Sequence, residues 1–171
     1  KIEMDANELI FQRGLPEYFR SSAASLYDEA FGQKFSVAVR SDQKRLSLLE
    51  DCFVPEYAIV AITDNKLTGI AGFHTPTGSL TGCITYRYLV SRLGFFKGNW
   101  AALIFSLYER KPASGELLMD GIAVHRDFRG IGIGSNLLDE ISRYARENKY
   151  DQIRLDVIET NPRARKLYER K

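Results

Sequence analysis

The residues with the clearest capacity for chemistry are Arg129-Gly130-Ile131-Gly132-Ile133-Gly134-Ser135. They join an apolar run ending at Val124 to a segment with helical spacing that ends near Asn148. Glycine reaches backbone conformations, and allows close approaches, that a Cβ blocks. The first turn of a helix offers N–H groups without intrahelical acceptors and the positive end of the helix dipole. A glycine-rich turn opening a helix therefore suits a phosphate or pyrophosphate, and Arg129 adds a cation for a charge-assisted contact. A tight turn that merely starts a helix would use the same residues. Three glycines within the five positions 130–134 favour the anion.

Spacing discriminates among anions. A P-loop needs Gly-Lys-Ser/Thr, and Gly134-Ser135 lacks the lysine. The dinucleotide pattern needs glycine at its first, third and sixth positions. Counted from Gly130, the sixth is Ser135, and the link from His125 to Phe128 is too long for that tight turn. ATP or NAD chemistry is the weaker reading of this loop.

The surrounding elements follow from periodicity. Glu8 to Gln12 reads as a first strand. A helix opens after Leu15-Pro16, with Tyr18, Phe19, Ala23, Leu26, Tyr27 and Ala30 at helical spacing and Gly32 ending it. A second helix begins at Ser41-Asp42, with Leu46, Leu49 and Phe53 facing inward. Tyr57–Thr63 and Leu67–Phe73 read as strands of a hairpin turning at Asp64-Asn65-Lys66. Two helices are expected near 79–93 and 99–110, interrupted by Gly94, Gly98 and Asn99 and closed by Pro112. Leu117–Val124 is a central strand. The helix over 132–148 directs Leu137, Leu138, Ile141, Tyr144 and Ala145 inward. Gln152–Ile158 is a strand, and Asn161-Pro162 opens a last helix as cap and first-turn residue. The strand–loop–helix–strand unit makes its two strands parallel. The preceding hairpin makes the sheet mixed, an α/β (α+β) architecture.

Composition limits the function classes. A chain of 171 residues, 44% apolar, fits a single domain spanning 1–171. A net charge of +2, from 24 basic and 22 acidic residues, leaves no footprint for nucleic acid. Arg163, Arg165 and Lys166 form a local basic cluster, which also fits a solvated helix face. Cys52 and Cys83 make no disulfide framework, no His/Cys cluster has metal-ligand spacing, and a cytoplasmic setting is expected. No apolar run approaches the ~20 residues of a membrane span.

The loop also carries a family resemblance. Arg129-x-x-Gly132-x-Gly134 resembles the Arg/Gln-x-x-Gly-x-Gly/Ala signature of the GNAT superfamily of acetyl-CoA-dependent N-acetyltransferases. Ile122-Ala123-Val124 is similar to its splayed fourth strand, and Asn161 to Glu169 to its second motif. The clear resemblance covers about residues 117 to 170; the first half agrees in element order.

The resemblance implies a GNAT-like fold and acetyl transfer from acetyl-CoA, with no metal, to a small-molecule amine or to an amine of a peptide or protein. It assigns the coenzyme A pyrophosphate to Arg129, Gly130, Gly132, Gly134 and Ser135, and the pantetheine arm to the backbone of Ile122, Ala123 and Val124. Asn161 would contact the pantetheine amides, a role that competes with capping a helix. Tyr168 would be the general acid, its phenol protonating the departing thiolate; its other reading is a core tyrosine beside Leu167. For a general base the central strand offers Glu116 and Asp120, which share a face of a regular strand, with Asp120 nearer the acetyl site. His125, past the strand in the loop, is another candidate, His74 reads as an ordinary strand-end histidine, and a water relay needs no side chain. Amine and thioester would meet in a ternary complex, where proximity supplies much of the acceleration. A non-catalytic acyl-CoA-binding or regulatory module would use the same fold.

Two departures from the family pattern stand out. About 40 residues, near 76–114, separate the third and fourth strands where a short turn is usual. This helical insertion is expected to pack over the sheet or line the acceptor pocket. Its aromatics with Arg87, Arg92 and Lys97 also suit a membrane surface or a partner. The chain also ends at Lys171, before the family's closing strands, and so reads as truncated at its C-terminus. The sheet edge thereby exposed could be covered by another copy in a homodimer. Asp28, Glu29 and Asp51 are acids that could attract a cationic acceptor or simply lie on exposed helix faces.

Overall fold

The computed structural model describes residues 8–155. In chain order its elements are β1 (Leu9–Arg13), α1 (Arg20–Ala38), α2 (Asp42–Cys52), β2 (Ala58–Thr63), β3 (Lys66–Thr75), β4 (Gly78–Ser79), α3 (Tyr86–Leu93), α4 (Phe95–Tyr108), β5 (Glu116–Val124), α5 (Ile133–Glu147) and β6 (Gln152–Leu155). The sheet runs β1-β2-β3-β5-β6, with the short β4 paired to β3. Its pairs are antiparallel except β5 with β6, which run parallel as the intervening α5 requires.

Alternation along the strands builds two layers around the sheet. Val60, Ile62, Ile70 and Ala123 pack with Ala23, Ala24, Tyr27 and Leu49 of α1 and α2 on one face. Ile59, Ala61, Ala71, Phe73, Leu117 and Met119 pack with Ile133, Leu137, Leu138 and Ile141 of α5 on the other. Local signals agree with these elements. Asp64 and Asn65 both take positive φ (49° and 56°), which suits the two-residue hairpin turn between β2 and β3. Ser41 caps α2 by accepting from the Lys44 N–H at 3.4 Å.

Three expectations are corrected. Gly32 does not end α1, which continues to Ala38. Gly32 is buried, and a Cβ there would lie 2.9 Å from Asp28 Oδ1, so its smallness serves packing rather than termination. Gly98 and Asn99 lie inside α4, and only Gly94 (φ 83°) separates the two inserted helices. A Cβ on Gly98 would stand 2.5 Å from Val90 Cα, so this glycine lets α3 and α4 cross closely. Residues 80–85 are turns rather than helix. The Leu80 N–H is held by the Phe73 carbonyl and the Leu80 carbonyl by the Val54 N–H, which draws the segment along β3.

The insertion packs with one face only. Leu89, Ala101 and Ile104 join Ala38, Val39 and Leu48 in a third apolar cluster. Phe95, Phe96, Trp100, Leu103 and Leu107 are exposed, although the Trp100 indole N–H donates to the Val37 carbonyl at 3.1 Å. No helix among the described residues is long and apolar enough to cross a membrane. The expected strand beyond Leu155 and the helix from Asn161 lie outside the described residues.

Candidate active site

The site is organised by one irregularity in β5. Gly72 pairs with Gly121 and Phe73 with Met119, so Asp120 is an extra residue opposite no partner, a β-bulge. Leu117 and Met119 face α5 before the bulge, and Ile122 and Val124 pack on that same side after it. Both Asp120 and Gly121 are thereby turned toward α1. Gly121 has φ 148°, and a Cβ on it would fall 2.5 Å from Phe31 Cζ.

Asp120 Oδ2 is buried and has no hydrogen-bond partner among the described residues. Burial raises the Asp120 pKa from 3.8 to about 6, against the opposing pull of the Lys34 ammonium. A carboxylate tuned close to neutrality, with an unused acceptor oxygen, can hold an ammonium and take up a proton.

Asp120 opens into a cleft of about 1050 Å³. Tyr27, Phe31, Lys34 and Phe35 of α1 form one wall, and Leu118 and His74 contribute from the sheet. Tyr86, Leu89, Ala102, Phe105 and Tyr108 of the insertion form the other wall. Burial lowers the His74 pKa, an effect opposed by the Arg110 backbone and Glu109, and favours the neutral imidazole. Burial also raises the phenol of Tyr27 well above its ordinary value, and its ring packs against Phe31 at 4.7 Å.

The other acid–base candidates are engaged elsewhere. Glu116 accepts from the Ala113 N–H at 2.8 Å and from Arg154 Nη1 at 3.3 Å. His125 Nδ1 accepts from the Asp127 N–H at 3.3 Å, and the ring does not line the cleft. The three acids of the helix faces each meet an arginine: Asp28 with Arg45, Glu29 with Arg129, and Asp51 with Arg92.

The glycine loop stands at the end of β5. Gly130 and Gly132 take φ 86° and 93°, and no described residue lies within 4 Å of where a Cβ would sit on either. The backbone there is open to a phosphate group, and Gly134 and Ser135 lie in the first turn of α5, where N–H groups have no intrahelical acceptor and no side chain caps them. These residues therefore fit the pyrophosphate of coenzyme A. Arg129 is drawn back: its Nε donates to the Val124 carbonyl at 2.9 Å and its Nη2 to Glu29 at 3.2 Å, tying the loop to β5 and α1. Ile122, Ala123 and Val124 pair along one edge with Ala71, Ile70 and Gly69 of β3. On the other edge, among the described residues, β6 reaches only as far as the Met119–Leu155 pair. Tyr168 and Asn161 lie outside the described residues.

One strand thus brings together Asp120, Ile122, Ala123, Val124 and the loop 129–135. Sequence reading missed Lys34 and Phe35, because it ended α1 at Gly32, and passed over Phe31 for its exposed neighbour Ala30. The helical spacing of Tyr27, Phe31 and Phe35 was the available signal. Among the described residues, no group of three or more His, Cys, Asp or Glu side chains is arranged to hold a metal ion.

Comparisons with known proteins agree with this geometry. No curated protein matches the chain. A crystal structure of an acetyltransferase superposes with a TM-score of 0.63 at 20% identity, covering 94% of this chain and 87% of its own. An aminoglycoside N-acetyltransferase in complex with CoA superposes with a TM-score of 0.61 at 13% identity, covering 99% and 90%. An N-acetyltransferase from Staphylococcus aureus Mu50 gives 0.57 at 16% identity, covering 95% and 81%. At these identities the likeness speaks for the fold alone. The acetyltransferase (GNAT) family itself matches residues 21–171. The chain belongs to that family and is an acetyl-CoA-dependent N-acetyltransferase.

Proposed function

We propose that the protein moves the acetyl group of acetyl-CoA directly to a primary amine held in the aromatic cleft, within a ternary complex. The observation that carries this reading is the bulge in β5. It places Asp120, one of whose carboxylate oxygens is buried without a hydrogen-bond partner among the described residues, in the lining of a cleft, on the strand that leads into the open glycine loop. From Asp120 to Val124 the strand advances roughly 13 Å at about 3.3 Å per residue. A pantetheine arm laid along it as an added strand would join the two ends.

The coenzyme supplies an activated acetyl thioester. Gly130, Gly132, Gly134 and Ser135 hold its pyrophosphate through backbone N–H groups at the positive end of α5. Arg129 positions the loop, and Ile122, Ala123 and Val124 guide the arm. Asp120 holds the acceptor ammonium and accepts the proton that must leave before nitrogen can attack. Tyr168 is the proton donor to the leaving thiolate, and Asn161 a contact to the arm; both roles rest on the sequence resemblance. The unit is one domain over 1–171.

Two-substrate kinetics test this. Intersecting initial-velocity lines are expected; parallel lines would point to a covalent acyl-enzyme and reject direct transfer. Tyr168→Phe should lower kcat by roughly 10²-fold or more with coenzyme A affinity unchanged. A protein that binds acetyl-CoA but releases no CoA with any amine would instead be a regulatory module.

A further inference from the structure

Two of the charged residues that line the cleft are of opposite sign and do not meet. Asp120 has a buried oxygen without a hydrogen-bond partner among the described residues. Lys34, one turn beyond Phe31 on α1, lines the same cleft and acts electrostatically on Asp120. Among the described residues neither side chain has an ion-pair partner; the Lys34 ammonium sits instead over the Tyr108 ring, 5.8 Å from its centroid. The other charged lining residues are engaged: Glu109 and Lys111 satisfy each other at 3.7 Å, and Arg110 has an interaction of its own.

Leaving a carboxylate and an ammonium unpaired in a half-closed, aromatic-lined space is costly unless a ligand completes both. A simple monoamine would answer Asp120 and leave Lys34 facing apolar surface. A polycation would answer Asp120 and be repelled by Lys34. A molecule carrying both an amine and an anion satisfies both groups, and Tyr27, Phe31, Phe35 and Phe105 accept an apolar body between them.

We propose that the acceptor is a zwitterion, an apolar or aromatic amine bearing a carboxylate or phosphorus oxyanion, with Lys34 as the residue that selects the anionic group. This rests on the acetyl-transfer reading of the cleft. Lys34 reads the anionic group and not the reacting nitrogen, so it sets specificity and takes no part in proton transfer. In the transfer itself, the amine nitrogen forms the new bond to the acetyl carbon as the thioester C–S bond breaks. The amine proton leaves to Asp120 or water, and the thiolate takes one up.

The test is calorimetric, on the full chain, with and without saturating coenzyme A. Three probes share one body: L-phenylalanine, its aminophosphonic acid twin, and phenethylamine, which lacks the anion. At least one of the two anionic probes should bind about ten-fold or more tighter than phenethylamine, and which one does so names the oxyanion. Lys34→Met should erase that preference and Lys34→Glu should reverse it, while Asp120→Asn weakens every probe that binds. Phenethylamine binding as tightly as the anionic probes, a preference that survives Lys34→Met, or no binding of any probe overturns the proposal. Failure of the transferase reading looks different. Coenzyme A would not bind, or bound zwitterion would release no CoA from acetyl-CoA, while the preference set by Lys34 persisted in the coenzyme-free protein.

Discussion

Gly121 and Phe31 are locked against each other: the space a Cβ on Gly121 would need is taken by the edge of the Phe31 ring, 2.5 Å away. The bulge at Asp120 exists only because position 121 can take φ 148° and carry no side chain. Gly121→Ala should therefore lose about 2–4 kcal/mol of stability from backbone strain and overpacking combined. Urea denaturation would measure it, and amine affinity should fall with it because Asp120 is re-aimed.

Asp120 imposes a pH dependence on folding. Its pKa in the folded protein, about 6, lies above the ordinary 3.8, so the folded state holds the proton more tightly than the unfolded chain. The stability this group contributes is complete below about pH 4 and is lost as pH rises through 6. Asp120→Asn should then be more stable than the parent at pH 8, by about 1–3 kcal/mol, with the gain shrinking toward zero at pH 4. Denaturation curves of both proteins at the two pH values check the sign.

The same group should shape catalysis. If Asp120 receives the amine proton, kcat/KM rises with pH through about 6, and Asp120→Asn removes that limb. An unchanged profile in the variant would give the proton to water instead.

Arg45 is buried between Asp28 and Asp42, and also donates to the Val39 carbonyl at 3.0 Å. Arg45→Met leaves the largely buried Asp28 carboxylate without its partner and should cost about 3 kcal/mol. For a domain of this length the melting temperature should fall by about 6–12 °C. Asp28→Asn in the same background should recover part of the loss.

Gly130 and Gly132 separate fold from function. Both have φ near 90° with open space around them, so alanine meets backbone strain but no clash. Each substitution should cost about 1–2 kcal/mol of stability. Coenzyme A affinity should fall further, by roughly ten-fold or more, as the loop N–H groups lose their alignment. Calorimetry with coenzyme A set beside a thermal melt resolves the two effects.

What the sequence by itself determined is whatever depends on local chemistry. Asp64-Asn65 made the hairpin, Ser41 capped α2, the apolar run of β2 marked a strand, and the stripe Leu137, Leu138, Ile141 and Ala145 declared the buried face of α5. The glycine loop before α5, with the residues around it, announced the family. Tertiary structure decided what depends on neighbours distant in the chain. A bulge is a mismatch between two strands, so its position at Asp120 is written in the pairing of β3 with β5 and not in β5 alone. Gly32 and Gly98 read as helix breakers until Asp28 and Val90 filled the space beside them. Lys34 is an ordinary helix lysine in the sequence. It became a cleft residue because α1 runs on past Gly32 and the inserted helices bring Tyr108 under its ammonium, opposite Asp120.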